Sequence, residues 1–170
     1  AHMDLCDSLC GDSLSHGCVQ RRALELNNVG GTENLYFIGI RSIEPDEYEF
    51  REKNKLNVAT AYDCHKLGID RIAEDVVAKM SKFNKVYLTL DIDGLDPAFA
   101  AGTGTPQFGG LSSRQLLDLL EALFSKLNII AFDVVEVAPP LDPALTSMFA
   151  ARKLITECWG HWARKSGLIK

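Results

Sequence analysis

The sequence predicts an α/β protein, a three-layer α/β/α arrangement around a mostly parallel sheet. Two observations carry this. Short apolar runs, rich in β-branched and aromatic residues, recur along the chain and alternate with segments of helical spacing. Capping residues stand where those helices open.

Taken in order, "LYFIGIR" (35–41) is nearly continuous in apolar residues, as expected of a strand covered on both faces. "NVATA" from Asn57 reads as a short second strand. In "IDRIAEDVVAKMSKF", Ile69, Ile72, Ala73, Val76, Val77 and Met80 fall on one helical face. "KVYLTLDID" (85–93) is the next strand. Ser112 opens "SSRQLLDLLEALF", with Gln115 completing a capping box and Leu116, Leu120 and Leu123 forming the inner stripe. "NIIAFDVVEV" (128–137) is another strand. Asp142 is placed to cap a last helix, with Pro143 in its first turn, running to near Gly167. Strands alternating with helices imply parallel pairing through right-handed crossovers. The acidic stretch "EPDEYEFREK" (44–53) reads as a solvated loop.

The chain has 170 residues, about the size of one domain, and neither a repeat nor a linker interrupts it. A net charge of −5 gives no reason to expect nucleic acid or an anionic membrane as partner. The apolar runs are too short to span a bilayer. Five scattered cysteines, with no CxxC pair, read as reduced thiols, and the expected compartment is the cytoplasm.

The chemistry concentrates at strand ends, where open parallel sheets gather ligands. Asp91 and Asp93 end one predicted strand and Glu136 another. Residues two apart on a strand point the same way, about 6.5–7 Å apart at Cα. Two carboxylates so placed repel each other, and burying either is costly unless something compensates. A hard divalent cation is one such compensation. A cluster of turn and cap residues is the other reading, since "DG" and "DP" are turn pairs. Asp96, ahead of Pro97, reads as the turn residue. His65 and His161 read as ordinary helix residues, and Trp159 and Trp162 as helix packing.

"LDIDGLDPAFAAGTGTPQFGGL" (90–111) resembles the signature of the ureohydrolase family, which includes arginase, agmatinase, guanidinobutyrase and formimidoylglutamase. "AHMD" (1–4) resembles the end of that family's Asp-Ala-His-x-Asp motif, "SHG" (15–17) its His-Gly loop, and "DVVEVAPPLD" (133–142) its glutamate strand. The matches follow the family's order and span nearly the whole chain. The resemblance implies an arginase-like fold and a pair of Mn²⁺ ions. His2, Asp4, Asp91 and Asp93 are the implied metal ligands, with Asp91 bridging. Glu136 is implied to hold the guanidinium of the substrate, and His16 to shuttle a proton. The implied reaction is attack of a hydroxide bridging the two ions on the guanidinium carbon, giving urea and an amine.

Ser42 stands where arginases have an aspartate that reads an α-amino group, and "IGIRS" with "GTGTPQFGGL" is most similar to agmatinase, which converts agmatine to putrescine and urea. Guanidinobutyrate is the second substrate implied. The family's Gly-Gly-Asp-His segment and its N-terminal strands are not in these 170 residues. The chain is therefore expected to be the C-terminal portion of a ureohydrolase domain. Alone, it is expected to lack a complete metal site and to be inactive, or to serve as a non-catalytic, oligomerising or partner-binding piece. Family members generally assemble as homo-oligomers, which is the expectation here.

Overall fold

A computed structural model of the chain describes residues 1–27 and 29–169. The elements follow in order: α1 (Val19–Ala23), β1 (Tyr36–Ile40), α2 (Pro45–Asn54), β2 (Asn57–Thr60), α3 (Ala61–Leu67), α4 (Ile69–Met80), β3 (Val86–Asp91), α5 (Ser113–Lys126), β4 (Ile129–Val135) and α6 (Thr146–Lys165). Among the described residues the strands form two parallel pairs, β1 with β2 and β3 with β4. The fold is α/β, as the periodicity predicts.

β1 separates two apolar clusters. Tyr36 and Ile38 pack into the larger one, and Leu35, Phe37 and Ile40 into the smaller one with Met3, Leu5 and Phe50. Residues 35 to 38 alternate between the clusters because successive strand side chains point to opposite faces. The alternation slips at Gly39, where the pairing register shifts. Its φ of +80° is one that a side chain rarely adopts, so glycine suits the slip.

β3 is different. Val86, Leu88 and Leu90 are covered while Tyr87 and Thr89 are exposed, so one face of the β3–β4 pair stays open. Trp159, beside β4, is exposed, a departure from the helix packing expected of it. Trp162 does pack, against Phe132 and Phe124, and its Nε1–H donates to the Ile129 carbonyl.

The larger core joins α4, α5 and α6. Ile72, Ala73, Val76 and Met80 meet Leu116, Leu119, Leu120 and Leu123, with Leu154 and Cys158 beyond. Ser112 and Gln115 form the expected capping box, and Thr60 with Asp63 forms another ahead of α3. All five cysteines are free thiols.

Two predicted elements are corrected. The stretch read as a solvated loop is α2, a helix with Pro45 at its start and Glu47 buried. Proline suits a first helical turn, where its missing N–H has no intrahelical partner. The last helix begins at Thr146, so Pro143 lies ahead of it rather than in its first turn. Asp142 still caps, at a distance. Its carboxylate accepts the N–H groups of Thr146 and Met148, both at 3.0 Å, across a left-handed residue, Leu145.

No described helix is long and apolar enough to cross a membrane.

Candidate metal centre

Leu90 ends the buried part of β3, and the chain then turns. Asp93 is not on the strand. It sits in a single 3₁₀ turn, Ile92–Gly94, which Asp91 caps by accepting the Asp93 N–H at 2.9 Å. The pleat therefore does not relate the two carboxylates as the sequence reading assumed. The tight turn does, and both line one cavity of about 210 Å³.

That cavity gathers His2, Asp4, His16, Asp91, Asp93 and Glu136. Glu136 follows β4 instead of lying in it, with φ +61°, and is exposed to the cavity mouth rather than buried. His16 opens a short 3₁₀ turn and is exposed as well. Asp4 has φ +53°. Such left-handed backbone costs about 1–2 kcal/mol for a residue with a side chain, and persists where the surroundings enforce it.

The electrostatics are uneven. Burial pushes the Asp91 carboxyl up to about 7, and the charge of Asp93 adds to that. Burial likewise pushes Asp4 up to about 6. Burial acts on Asp93 too, but its contacts, first among them His2, outweigh it, so Asp93 is held well below the usual carboxylate range. The Ala1 nitrogen lies 2.6 Å from Asp93 Oδ1. The Asp93 contact in turn raises His2, against the effect of its own burial.

Neither Asp91 nor Asp93 pairs with a lysine or arginine side chain among the described residues. Arg41 lies behind them, yet its guanidinium donates to carbonyls: Asp93 O at 2.8 Å, Leu95 O at 3.2 Å and Gln107 O at 2.7 Å. It ties the Asp93 turn to the glycine-rich loop. Asp96 closes the same loop, accepting Gly109 N–H at 2.8 Å and Gly110 N–H at 3.1 Å, the turn role read for it.

The donor chemistry fits a hard divalent cation: three carboxylates and an imidazole around one cavity. One atom points the same way. Asp93 Oδ2 is sealed from solvent and accepts no aligned hydrogen bond, although His2 Nδ1 stands 2.9 Å from it. A buried, unsatisfied carboxylate oxygen is costly. Among the described residues, however, no three His, Cys, Asp or Glu side chains converge closely enough to cage an ion. These donors alone do not close around an ion.

Sequence reasoning missed part of the lining. Cys6, Glu44, Glu47, Thr105 and Gln107 also face the cavity. Glu44 and Glu47 were hidden by reading their stretch as a loop. Pro45, with acidic residues around it, was the helix signal available.

The fold and the site define an α/β protein with an acidic, histidine-bearing cavity beside its strand ends. The chain belongs to the arginase family, whose model matches residues 1–160. It is 39% identical to an agmatinase of Halalkalibacterium halodurans over 95% of its own length and 53% of the relative's. A guanidinobutyrase of Pseudomonas aeruginosa is 32% identical, with 92% and 49% covered. Proclavaminate amidino hydrolase from Streptomyces clavuligerus superposes with a TM-score of 0.87 at 33% identity, covering 96% of this chain and 54% of that one. The chain thus spans about half the length of the curated relatives it matches.

Proposed function

We propose that this chain carries the metal-binding and guanidinium-binding part of a hydrolase that converts agmatine to putrescine and urea. In this reading His2, Asp4, Asp91 and Asp93 hold manganese, completed by ligands from outside these 170 residues. When bound, the metal pair supplies Lewis acidity that makes water a nucleophile at neutral pH. The chain's own residues do the rest. The Glu136 carboxylate accepts forked N–H bonds from the planar guanidinium and orients its carbon. His16, exposed at the mouth, passes a proton to the departing amine nitrogen. Arg41 keeps the Asp93 turn and the Gln107 loop in register while this happens.

One observation carries the choice of substrate. The cavity is lined by Asp4, Glu44, Glu47, Asp91, Asp93 and Glu136, and by no lysine or arginine among the described residues. Agmatine brings a guanidinium at one end and an ammonium at the other, suited to the carboxylates this reading leaves free of the metal, Glu136 and Glu44. Guanidinobutyrate brings a carboxylate, and no lysine or arginine side chain among the described residues lines the cavity to receive it.

The test is urea release from agmatine, guanidinobutyrate and arginine by the Mn²⁺-loaded polypeptide that carries this chain. The highest kcat/KM is expected with agmatine, and little or no urea from the 170 residues by themselves. Preference for guanidinobutyrate would move the reading to that relative's activity. No urea from any of the three would overturn it in favour of a non-catalytic role.

A further inference from the structure

The peptide that follows Asp4 is held at both of its polar ends. Its carbonyl, Asp4 O, accepts the Gln20 N–H at 2.9 Å. Its N–H, on Leu5, donates to Glu47 Oε1 at 2.7 Å. With φ +53°, Asp4 has a backbone conformation that this clamp maintains.

Glu47 is an unusual partner. It is 3% exposed, and among the described residues it makes no ion pair with a lysine or arginine. Both of its oxygens go to backbone N–H groups: Leu5, 42 positions away, and Glu44, at 3.0 Å, in the turn that opens α2. A buried carboxylate needs such compensation, but the Glu44 bond alone would serve the helix. The second bond reaches across to the loop that carries His2 and Asp4. Next to it, Asp46 Oδ2 accepts the Asp7 N–H at 3.2 Å, so the first turn of α2 grips that loop at two points.

We infer that Glu47 is a positioning residue, which fixes the Asp4–Leu5 peptide through the Leu5 N–H and thereby holds the Asp4 carboxylate in the cavity. The inference rests on Asp4 acting as a metal ligand. It couples the opening turn of α2, which also carries the rim residue Glu44, to the metal loop.

The experiment compares wild type, Glu47→Gln and Glu47→Leu in the polypeptide that carries this chain. Three readouts are taken: amide exchange at Leu5 in the metal-free protein, Mn²⁺ affinity with the Mn²⁺ spin-resonance spectrum, and thermal melting. Glu47→Leu should speed Leu5 exchange and weaken Mn²⁺ binding about tenfold or more, the usual effect of losing a group that orients a ligand. Glu47→Gln keeps one carbonyl acceptor and should recover part of both losses. Unchanged Leu5 exchange and Mn²⁺ affinity, with only a lower melting temperature, would overturn the inference and leave Glu47 as a helix cap. If Glu47→Leu does not fold, Glu47→Gln decides: Leu5 exchange and Mn²⁺ affinity must change together in that variant, and faster Leu5 exchange with wild-type Mn²⁺ affinity overturns the inference. If wild type itself binds no Mn²⁺, the metal reading falls and this inference with it.

Discussion

Leu90 and Asp91 are neighbours on one strand and belong to opposite regions of the molecule. Leu90 joins a core where Leu120 and Ile92 are fully buried among aliphatic side chains. Asp91 opens a cavity where carboxyls are pushed above their ordinary range and Asp93 Oδ2 lacks an aligned donor. There the backbone at Asp4 and Glu136 is left-handed. In the core, close packing and polar satisfaction agree. In the cavity they conflict. Regions that break several local rules together are where a fold gives up stability for a site.

The sharpest way to break this comparison is one substitution in each region. Leu120→Ala should cost about 2–5 kcal/mol of folding free energy, the usual result of emptying a filled core site. The folded fraction should keep its Mn²⁺ affinity. Asp91→Asn should do the reverse. It removes a carboxyl whose ionised form burial disfavours, so the metal-free protein should melt no lower than wild type. Its Mn²⁺ affinity should fall by more than about a hundredfold, beyond the range typical of groups behind the ligands. Calorimetric melts and Mn²⁺ titrations on both variants check this. Equal destabilisation by the two would remove the contrast.

A second test uses pH and has a smaller expected effect. Asp91 and Asp4 are raised to about 7 and about 6. A carboxyl raised in the folded state stabilises fully below its unfolded value, and that contribution is lost as pH rises through the folded value. His2, also raised, acts in the same direction above its ordinary range. Asp93, held low, loses its contribution only in strong acid. The metal-free protein should therefore melt at a lower temperature as pH rises from about 5 to about 8. Over the same interval Mn²⁺ should bind more tightly and displace protons, because metal ligands must be deprotonated. Melting curves with and without Mn²⁺ across that interval test both signs. Leu120→Ala should lower the whole curve and leave its slope alone. A flat metal-free profile would show that the cavity carboxyls are not strained.

The two regions were also unequally legible. The core was readable because helix and strand periods leave a direct imprint on sequence. Ile72, Val76, Leu116, Leu120 and Leu123 were all expected inside and are there. The Ser112–Gln115 box was readable because its two residues lie within one turn. The cavity was reached by resemblance to a family more than by spacing. The strand argument for Asp91 and Asp93 was replaced by a 3₁₀ turn, which a period of two does not anticipate. Glu47 was invisible because its partner, Leu5, is distant in sequence, and no local pattern encodes a bond between a helix and a remote loop. Glu136 was expected to end its strand. The strand ends one residue earlier, and the side chain reaches solvent.

The smallest expected effect lies at the rim, where the two regions' rules overlap least. Glu44 is exposed, lines the cavity and opens α2. If the acidic lining sets the substrate preference, Glu44→Gln should shift the ratio of kcat/KM between agmatine and guanidinobutyrate toward the latter. The change should appear mainly in KM, because a distal charge contributes about equally to ground and transition states. An exposed charge acts through water, so the shift should stay within about fivefold. It should also shrink as salt screens the interaction. The matched substitution Glu74→Gln, on an exposed face of α4, should leave the ratio alone. Loss of all turnover in Glu44→Gln would point instead to the grip of α2 on the metal loop. That would make the rim an extension of the strained cavity rather than a separate reader of charge.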